Sequence, residues 1–306
     1  MNYTLHQLKI FLEVVRNQSV THAAEKLNMT QPALSIQLKN FQNQFKTPLT
    51  EVVGRRIFIT EFGLDIAKLA ENVVREAEEI KYKTYEYDGL FAGKLSISSA
   101  STGKYVIPYF LHHFLGKHPG IDLNLDVTNK IRTLERLKKH EVELALVSVI
   151  PKGMDVEEEI LLENKLFLVG DTPEYDIGRP FIYREEGSAT RLAMDHFLEQ
   201  SKSRKQFQLT SNEAVKQAVI AGLGYSVIPL IGMKNELMNK DLFILPSEGL
   251  PIVTYWRLIW LKNKRLSPIT RAFLDELRES KNALIKTHFS WYVEFSEQSN
   301  DKSVLE

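Results

Sequence analysis

The 306-residue chain contains no cysteine. That excludes disulfide staples, cysteine-based zinc sites and any thiol redox switch. No apolar run approaches the roughly 20 residues that a membrane-spanning helix needs. Met1 leads straight into a charged amphipathic helix rather than a signal peptide, so the expectation is a cytoplasmic protein. Signatures of catalysis are missing as well: there is no G-x-S-x-G, no Cys–His pair and no paired-carboxylate motif. His112, His113, His118 and His140 lack metal-ligand spacing and read as surface or structural residues. Gly222-Leu223-Gly224 resembles a piece of a phosphate loop but lacks the strand before and the helix after, and reads as a helix end. Neither an enzyme nor a metal site is expected, and there is no internal repeat and no low-complexity segment. Net charge is absent too, with 39 Lys and Arg against 39 Asp and Glu. Its distribution is informative: residues 1–62 hold Lys9, Arg16, Lys26, Lys39, Lys46, Arg55 and Arg56 against Glu13, Glu25, Glu51 and Glu61. A basic N-terminal segment on a mildly acidic remainder suits a chain in which one domain meets nucleic acid.

What is present is concentrated at Thr30–Phe41, T-Q-P-A-L-S-I-Q-L-K-N-F. Thr30 can cap a helix, and Pro32 suits its first turn because the amide it lacks would be unpaired there. Leu34, Leu38, Phe41 and Phe45 form one buried stripe. Gln31, Pro32, Ser35, Ile36 and Lys39 are left facing outward, with the groups that read base edges and phosphates in a major groove. Leu5, Leu8, Phe11, Leu12 and Val15 mark an amphipathic helix before it. Val20, Ala23, Ala24 and Leu27 mark a short second one, and Asn28–Met29 supplies a tight turn, which completes a helix-turn-helix. In L-T-E-V-V-G-R-R-I-F-I-T-E-F-G at 49–63, Gly54 permits a hairpin turn. Ile57 and Ile59 alternate with Arg56, Phe58 and Thr60, giving a β wing with Arg55 and Arg56 at its turn for phosphates or a minor groove.

With A-A-E-K-L-N-M-T-Q-P-A-L-S at 23–35 and the wing ending T-E-F-G at 60–63, the sequence resembles the LysR-type transcriptional regulators, and the resemblance runs to about residue 280. Ile36 stands where many members carry arginine, and Val52 where an arginine is frequent in the wing. An apolar residue at the first position also occurs in the branch that includes regulators of carbon-fixation operons, and it can touch thymine methyl groups. E-G-S-A-T-R at 186–191, S-N-E-A-V-K-Q-A-V-I-A-G-L-G at 211–224 and L-P-I-V-T-Y-W at 250–256 also resemble that branch. For a chain without cysteine, the peroxide-sensing mechanism of the family is excluded.

From Leu64 to about Lys83, Ile66, Leu69, Val73, Ala77 and Ile80 repeat at steps of three or four, the seam of a two-stranded coiled coil. A helix lying on its own domain would show the same pattern. Gly89 and Gly93 mark a hinge. Beyond it, strand and helix alternate in two consecutive βα sets, an α/β architecture with two lobes. The resemblance implies a fold similar to periplasmic binding proteins, with the chain crossing between lobes near 161–165 and returning near 262–268. The expected organisation is a winged helix-turn-helix at 1–62 and a linker and dimerisation helix with hinge at 63–89. An effector-binding domain at 90–290 follows (lobe I 90–161 and 268–290, lobe II 162–267), then a polar tail at 291–306.

In the second domain, Ser101, Thr102 and Lys104 follow a strand and precede a helix, an arrangement suited to anions. Ser188, Thr190 and Arg191 repeat it in the other lobe, where Gly187 allows backbone to approach a ligand. Helix capping alone would account for either. Together, on opposing lobes, they suggest an interdomain pocket, and similar positions contact the effector in the resembled family. Thr128-Asn129-Lys130 and Ser148, at strand ends, join the candidates. Glu213 can pair with a cation or cap its helix, and capping is the favoured reading; Trp256 and Trp260 read as core. The reading is a ligand-responsive regulator that binds an inverted-repeat DNA operator and senses a small carboxylate or phosphate, with no cofactor. It would act as a homodimer or, by resemblance, a homotetramer, with RNA polymerase as a further partner. The rival is a cytoplasmic small-molecule binding protein without a regulatory role.

Overall fold

The structure, a computed structural model, describes residues 2–53, 56–87, 92–197 and 206–298. It divides into two compact units, residues 1–90 and 91–306. No helix among the described residues is long and apolar enough to cross a membrane, and they contain no group of side chains suited to a metal ion.

The first unit is a winged helix. Helix α1 (Leu5–Asn17) opens with a capping box in which Thr4 and Gln7 satisfy each other's backbone amides. After α2 (Val20–Lys26), Asn28 takes a left-handed conformation at φ 52°, the tight turn that a short polar side chain tolerates. Helix α3 (Gln31–Gln42) starts where expected, its cap hydroxyl on Thr30 accepting from the Ala33 amide. Strands β1 (Thr50–Val53) and β2 (Arg56–Ile59) form an antiparallel hairpin in which Val53 faces Arg56. Helix α4 (Glu61–Tyr87) follows. Two clusters hold the unit: Ile10, Val14, Ala23, Ala24, Leu34 and Ile57, and Leu8, Phe11, Leu12, Phe41, Leu49, Ala67 and Ala70. The last two residues correct the expected boundary. The opening turns of α4 belong to the winged-helix core, and Ile66 packs on that core too.

The second unit begins with β3 (Ala92–Ala100), a 3-10 turn at Ser101–Tyr105, α5 (Ile107–Lys117), β4 (Gly120–Thr128), α6 (Lys130–Lys138) and β5 (Leu144–Val147). Strand β3 pairs in parallel with β4 and β5, and these elements form lobe I. The long β6 (Val156–Gly170) carries the chain out of it. Lobe II contains β7 (Phe181–Arg184), α7 (Ala189–Phe197), β8 (Gln206–Leu209), α8 (Asn212–Ile220), β9 (Ser226–Pro229), α9 (Lys234–Met238) and β10 (Phe243–Ile244). Its core joins Leu166, Leu168, Phe181, Tyr183, Met194, Tyr225 and Val227. Strand β11 (Ile252–Leu261) returns antiparallel to β6, and α10 (Pro268–Gln298) closes the described chain.

Two expectations change here. The return crossing does not lie at 262–268. It runs through β11, whose register on β6 shifts between Trp256 and Arg257, and Arg257, Leu258 and Ile259 already pair with β5 of lobe I. Both crossings are therefore one pair of strands, bonded along their length. The polar tail expected from residue 291 is helix as far as Gln298, because Phe289 and Tyr292 are buried and anchor it; residues 299–306 lie outside the described residues.

Candidate functional site

The face of α3 opposite its buried residues carries the five side chains singled out in the sequence. Gln31, Pro32 and Lys39 are exposed, Ser35 is half-buried, and Ile36 stands 60% exposed, high for an isoleucine whose neighbours Leu34 and Phe41 are fully buried. On the wing, Phe58 and Val52 are exposed while Ile57 is buried. Arg56 opens β2, and Gly54 and Arg55 lie outside the described residues.

On α4 the expected seam divides in two. Leu69, Val73 and Ile80 are 61%, 48% and 71% exposed, and Ala77 is half-buried. Ile66, by contrast, faces its own domain. The solvent-facing apolar stripe is thus 69–73–80, offset from the face that Ile66, Ala67 and Ala70 use.

In the second unit one pocket of about 180 Å³ opens between the lobes. The N-terminal ends of α6, α7 and α8 reach it through Asn129–Lys130, Ala189–Thr190 and Asn212, so three helix dipoles present their positive ends to one cavity. Ser101, Thr102, Ser148, Ser188 and Thr190 line it as expected, all but Ser101 buried. The Ser101 hydroxyl oxygen accepts from Asn212 Nδ2 at 2.7 Å and from Arg184 Nη1 at 3.2 Å, joining a lobe I hydroxyl to two lobe II donors.

Three expected residues fall outside this pocket. Lys104 is exposed and lies over the Tyr105 ring, 4.9 Å from its centroid. Thr128 ends β4 paired with Ala100, where the ladder fixes it. Arg191 turns away to Asp195 (2.8 Å), packs its guanidinium over Tyr183, and donates to the Arg184 carbonyl at 3.2 Å. It supports the site from behind.

Among the described residues, the cations that line the pocket are Arg184 and Lys130. Arg184, at the end of β7, is 2% exposed and grips Glu185 with two charge-assisted hydrogen bonds of 2.7 and 2.9 Å. Burial holds the Lys130 ammonium below the usual lysine pKa. A charge inside the buried run F-I-Y-R was the available sign of Arg184. Trp256, read as core, is buried and also forms part of the pocket wall, as do Asn164 and Thr254, which hydrogen-bond across β6 and β11.

Beside the pocket, Tyr105 donates to Glu213 Oε2 at 2.9 Å from the other lobe. Glu213 does not cap α8, since Ser211 is the capping residue; it pairs with the cation Lys216 at 3.0 Å instead. Burial would raise the Glu213 pKa, but the bonds from Lys216 and Tyr105 outweigh it and hold the carboxyl low. Burial together with this bond pushes the Tyr105 phenol well above its ordinary range, so it remains a donor.

Residues 5–64 match the bacterial regulatory helix-turn-helix protein, lysR family, and residues 88–282 match the LysR substrate binding domain. The chain belongs to the LysR family of transcriptional regulators. Over 289 residues it is 34% identical to the HTH-type transcriptional activator CmpR of Synechocystis, covering 90% of this chain and 95% of that protein. It is 37% identical to the RuBisCO operon transcriptional regulator of Acidithiobacillus ferrooxidans, covering 90% and 93%. The Synechocystis CcmR regulatory domain, solved in complex with 2-PG, is similar with a TM-score of 0.56 and 33% identity, over 62% of this chain and 97% of that one. This LysR-type regulator is thus a ligand-responsive DNA-binding transcription factor and not an enzyme. The rival reading, a binding protein without a regulatory role, does not account for the N-terminal match.

Proposed function

We propose that this LysR-type regulator binds an inverted-repeat operator and senses a small oxyanion, carboxylate or phosphate, in the pocket between its lobes. The observation that carries the effector class is the convergence of three α-helix N-termini, four buried hydroxyls and the buried Arg184 on one cavity. A cavity of about 180 Å³ suits a compact metabolite. The complex of the similar CcmR domain with 2-PG supports a small effector and makes 2-PG the first probe. A thermal-shift screen of carboxylates, phosphates, amines and neutral sugars tests the class. Stabilisation by amines or sugars alone, or an intact phosphate response in the Thr102→Val, Ser188→Ala double variant, would sink it.

Operator reading is assigned to Gln31, Pro32, Ser35, Ile36 and Lys39, with Arg55 and Arg56 on the flanking backbone. Two such helices related by a two-fold axis would match two half-sites. The Leu69–Val73–Ile80 stripe, with Ala77, is the proposed dimer contact, and two dimers would build a tetramer. The protein would act in the cytoplasm, with RNA polymerase as its downstream partner. Val73→Asp places a charge in the stripe on each protomer. Light scattering should then show loss of the dimer at micromolar concentration, together with at least tenfold weaker operator binding. An unchanged mass would misplace the seam.

Lys130 predicts a pH signature. Its folded-state pKa is lowered by burial, so in alkaline solution part of the population is neutral. An anion beside it favours the charged form and raises that pKa again. Binding should therefore take up a proton in the alkaline window between the two values and none below it, where Lys130 is charged throughout. Calorimetry in buffers of different ionisation heat reads this directly. The Lys130→Met variant should lose the uptake, and proton release would contradict the assignment.

A further inference from the structure

Residues 289–292 lie beyond the end of the LysR substrate-binding match at 282 and make three attachments to the second unit. In lobe I, the Phe289 ring stacks on Phe110 with centroids 5.9 Å apart and meets the edge of Tyr109 at 5.2 Å. On the crossover strand β6, the Lys165 amide donates to the Tyr292 hydroxyl oxygen at 2.8 Å. In lobe II, the ammonium of Lys234 sits 5.1 Å from the centroid of Trp291. Phe289 departs from helical geometry (φ −123°, ψ 15°) within α10, so the helix kinks where the attachments begin.

The placement of Lys165 is informative. Strand β9 pairs with β6 only from Leu166, opposite Pro229, onward. The Lys165 amide is satisfied by a side chain from the C-terminal helix instead, and both groups are buried. Asn164 and Leu166, on either side of it, both line the pocket. A shift of Tyr292 therefore acts on the backbone that carries the pocket wall.

We propose that Phe289–Tyr292 is a strap, a connection between the lobes in addition to β6 and β11, that holds the crossover strand in register and opposes rearrangement of the lobes. Rotation of one lobe against the other must slide Trp291 on Lys234, break the Tyr292–Lys165 bond or unstack Phe289. A ligand that favours a different lobe angle binds with an apparent affinity reduced by the rarity of that arrangement. Loosening the strap raises its population. The strap depends on these contacts and not on which anion the pocket takes.

The test is hydrogen-exchange mass spectrometry on the full chain, comparing wild type with Tyr292→Phe, Trp291→Ala and Lys234→Met. Loss of one buried hydrogen bond or ring contact should speed exchange about fivefold in residues 156–166 and 252–261. The winged helix and strands β3 and β4 should keep wild-type rates. Inorganic phosphate, as the pocket probe, should bind the loosened variants at least threefold more tightly. Wild-type exchange in β6 and β11 for both Tyr292→Phe and Trp291→Ala, or faster exchange confined to α10, overturns the strap. If Trp291→Ala does not fold, Lys234→Met removes the lobe II attachment from the surface and decides in its place. Phosphate that binds neither wild type nor variant counts against the oxyanion pocket, and the exchange rates alone then decide the strap.

Discussion

Replacing Arg184 with methionine should weaken binding of the proposed anionic effector by at least tenfold while leaving operator affinity in its absence near wild type. Arg184 is the buried cation of the pocket, and its Nη1 already points at the Ser101 hydroxyl across the lobes. Hydrogen bonds to charged groups contribute about 1.5–3 kcal/mol, and such a loss corresponds to roughly a tenfold to 150-fold change in affinity. Methionine keeps much of the apolar stem and removes the donors. The side effect is an unpaired Glu185, which is 17% exposed and can be reached by water, so its cost is smaller than for a fully buried ion. Adding Glu185→Gln should recover that stability without recovering binding, which separates folding from recognition. Calorimetric titration of 2-PG and inorganic phosphate into both variants checks this. Wild-type affinity in Arg184→Met would remove the residue from the site.

The contrast between Arg184 and Arg191 shows where sequence reasoning stops. Arg191 follows Gly-Ser-Ala-Thr at a helix start, so linear neighbours suggest an anion site. One turn into α7, its side chain instead finds Asp195 four residues on and the face of Tyr183. Arg184 has no such neighbourhood in the chain and reaches Ser101 only because β7 ends at the lobe boundary. Helix α3 of the helix-turn-helix was legible because its evidence is local: a cap, a first-turn proline and one apolar stripe. The linker helix was half legible. Ile66, Leu69 and Ala70 all fit a three-or-four repeat, and periodicity does not tell the face meeting its own domain from the face left outside. The crossing point inside β11 was hidden because one continuous apolar strand serves both lobes, and only pairing reveals the change. Near the C-terminus the polar composition after residue 290 masked the aromatic cluster Phe289, Trp291 and Tyr292, which is what the fold uses.

Gly63→Ala should destabilise the N-terminal unit by about 3 kcal/mol, the upper part of the range for overpacking a rigid site. A methyl group there would lie 2.1 Å from the Leu49 carbonyl oxygen and 2.9 Å from Ile59 Cγ2. Ile59 can turn aside. Leu49 cannot, because its carbonyl accepts the Thr60 amide at 3.1 Å and its side chain is buried in the core with Phe11, Phe41 and Ala67. The first turn of α4 must therefore lift. That breaks the junction in which the Thr60 hydroxyl donates to the Pro48 carbonyl at 2.7 Å and accepts from the Gly63 amide at 2.9 Å. Ala67 and Ala70 would move with it, away from α1, loosening the packing that orients α3 for DNA. A unit of this size has roughly 5–13 kcal/mol of stability, so the loss is a large share of the total. At about 4–8 °C per kcal/mol, its unfolding midpoint should fall by roughly 12–24 °C. Scanning calorimetry on the full chain should show that transition move down while the transition of the effector domain stays in place. Operator binding should fail well below the wild-type temperature, and phosphate should still protect the second transition. A single unshifted thermogram would show that the wing and α4 can separate without cost, and that the close approach at Gly63 does not fix the DNA-reading unit.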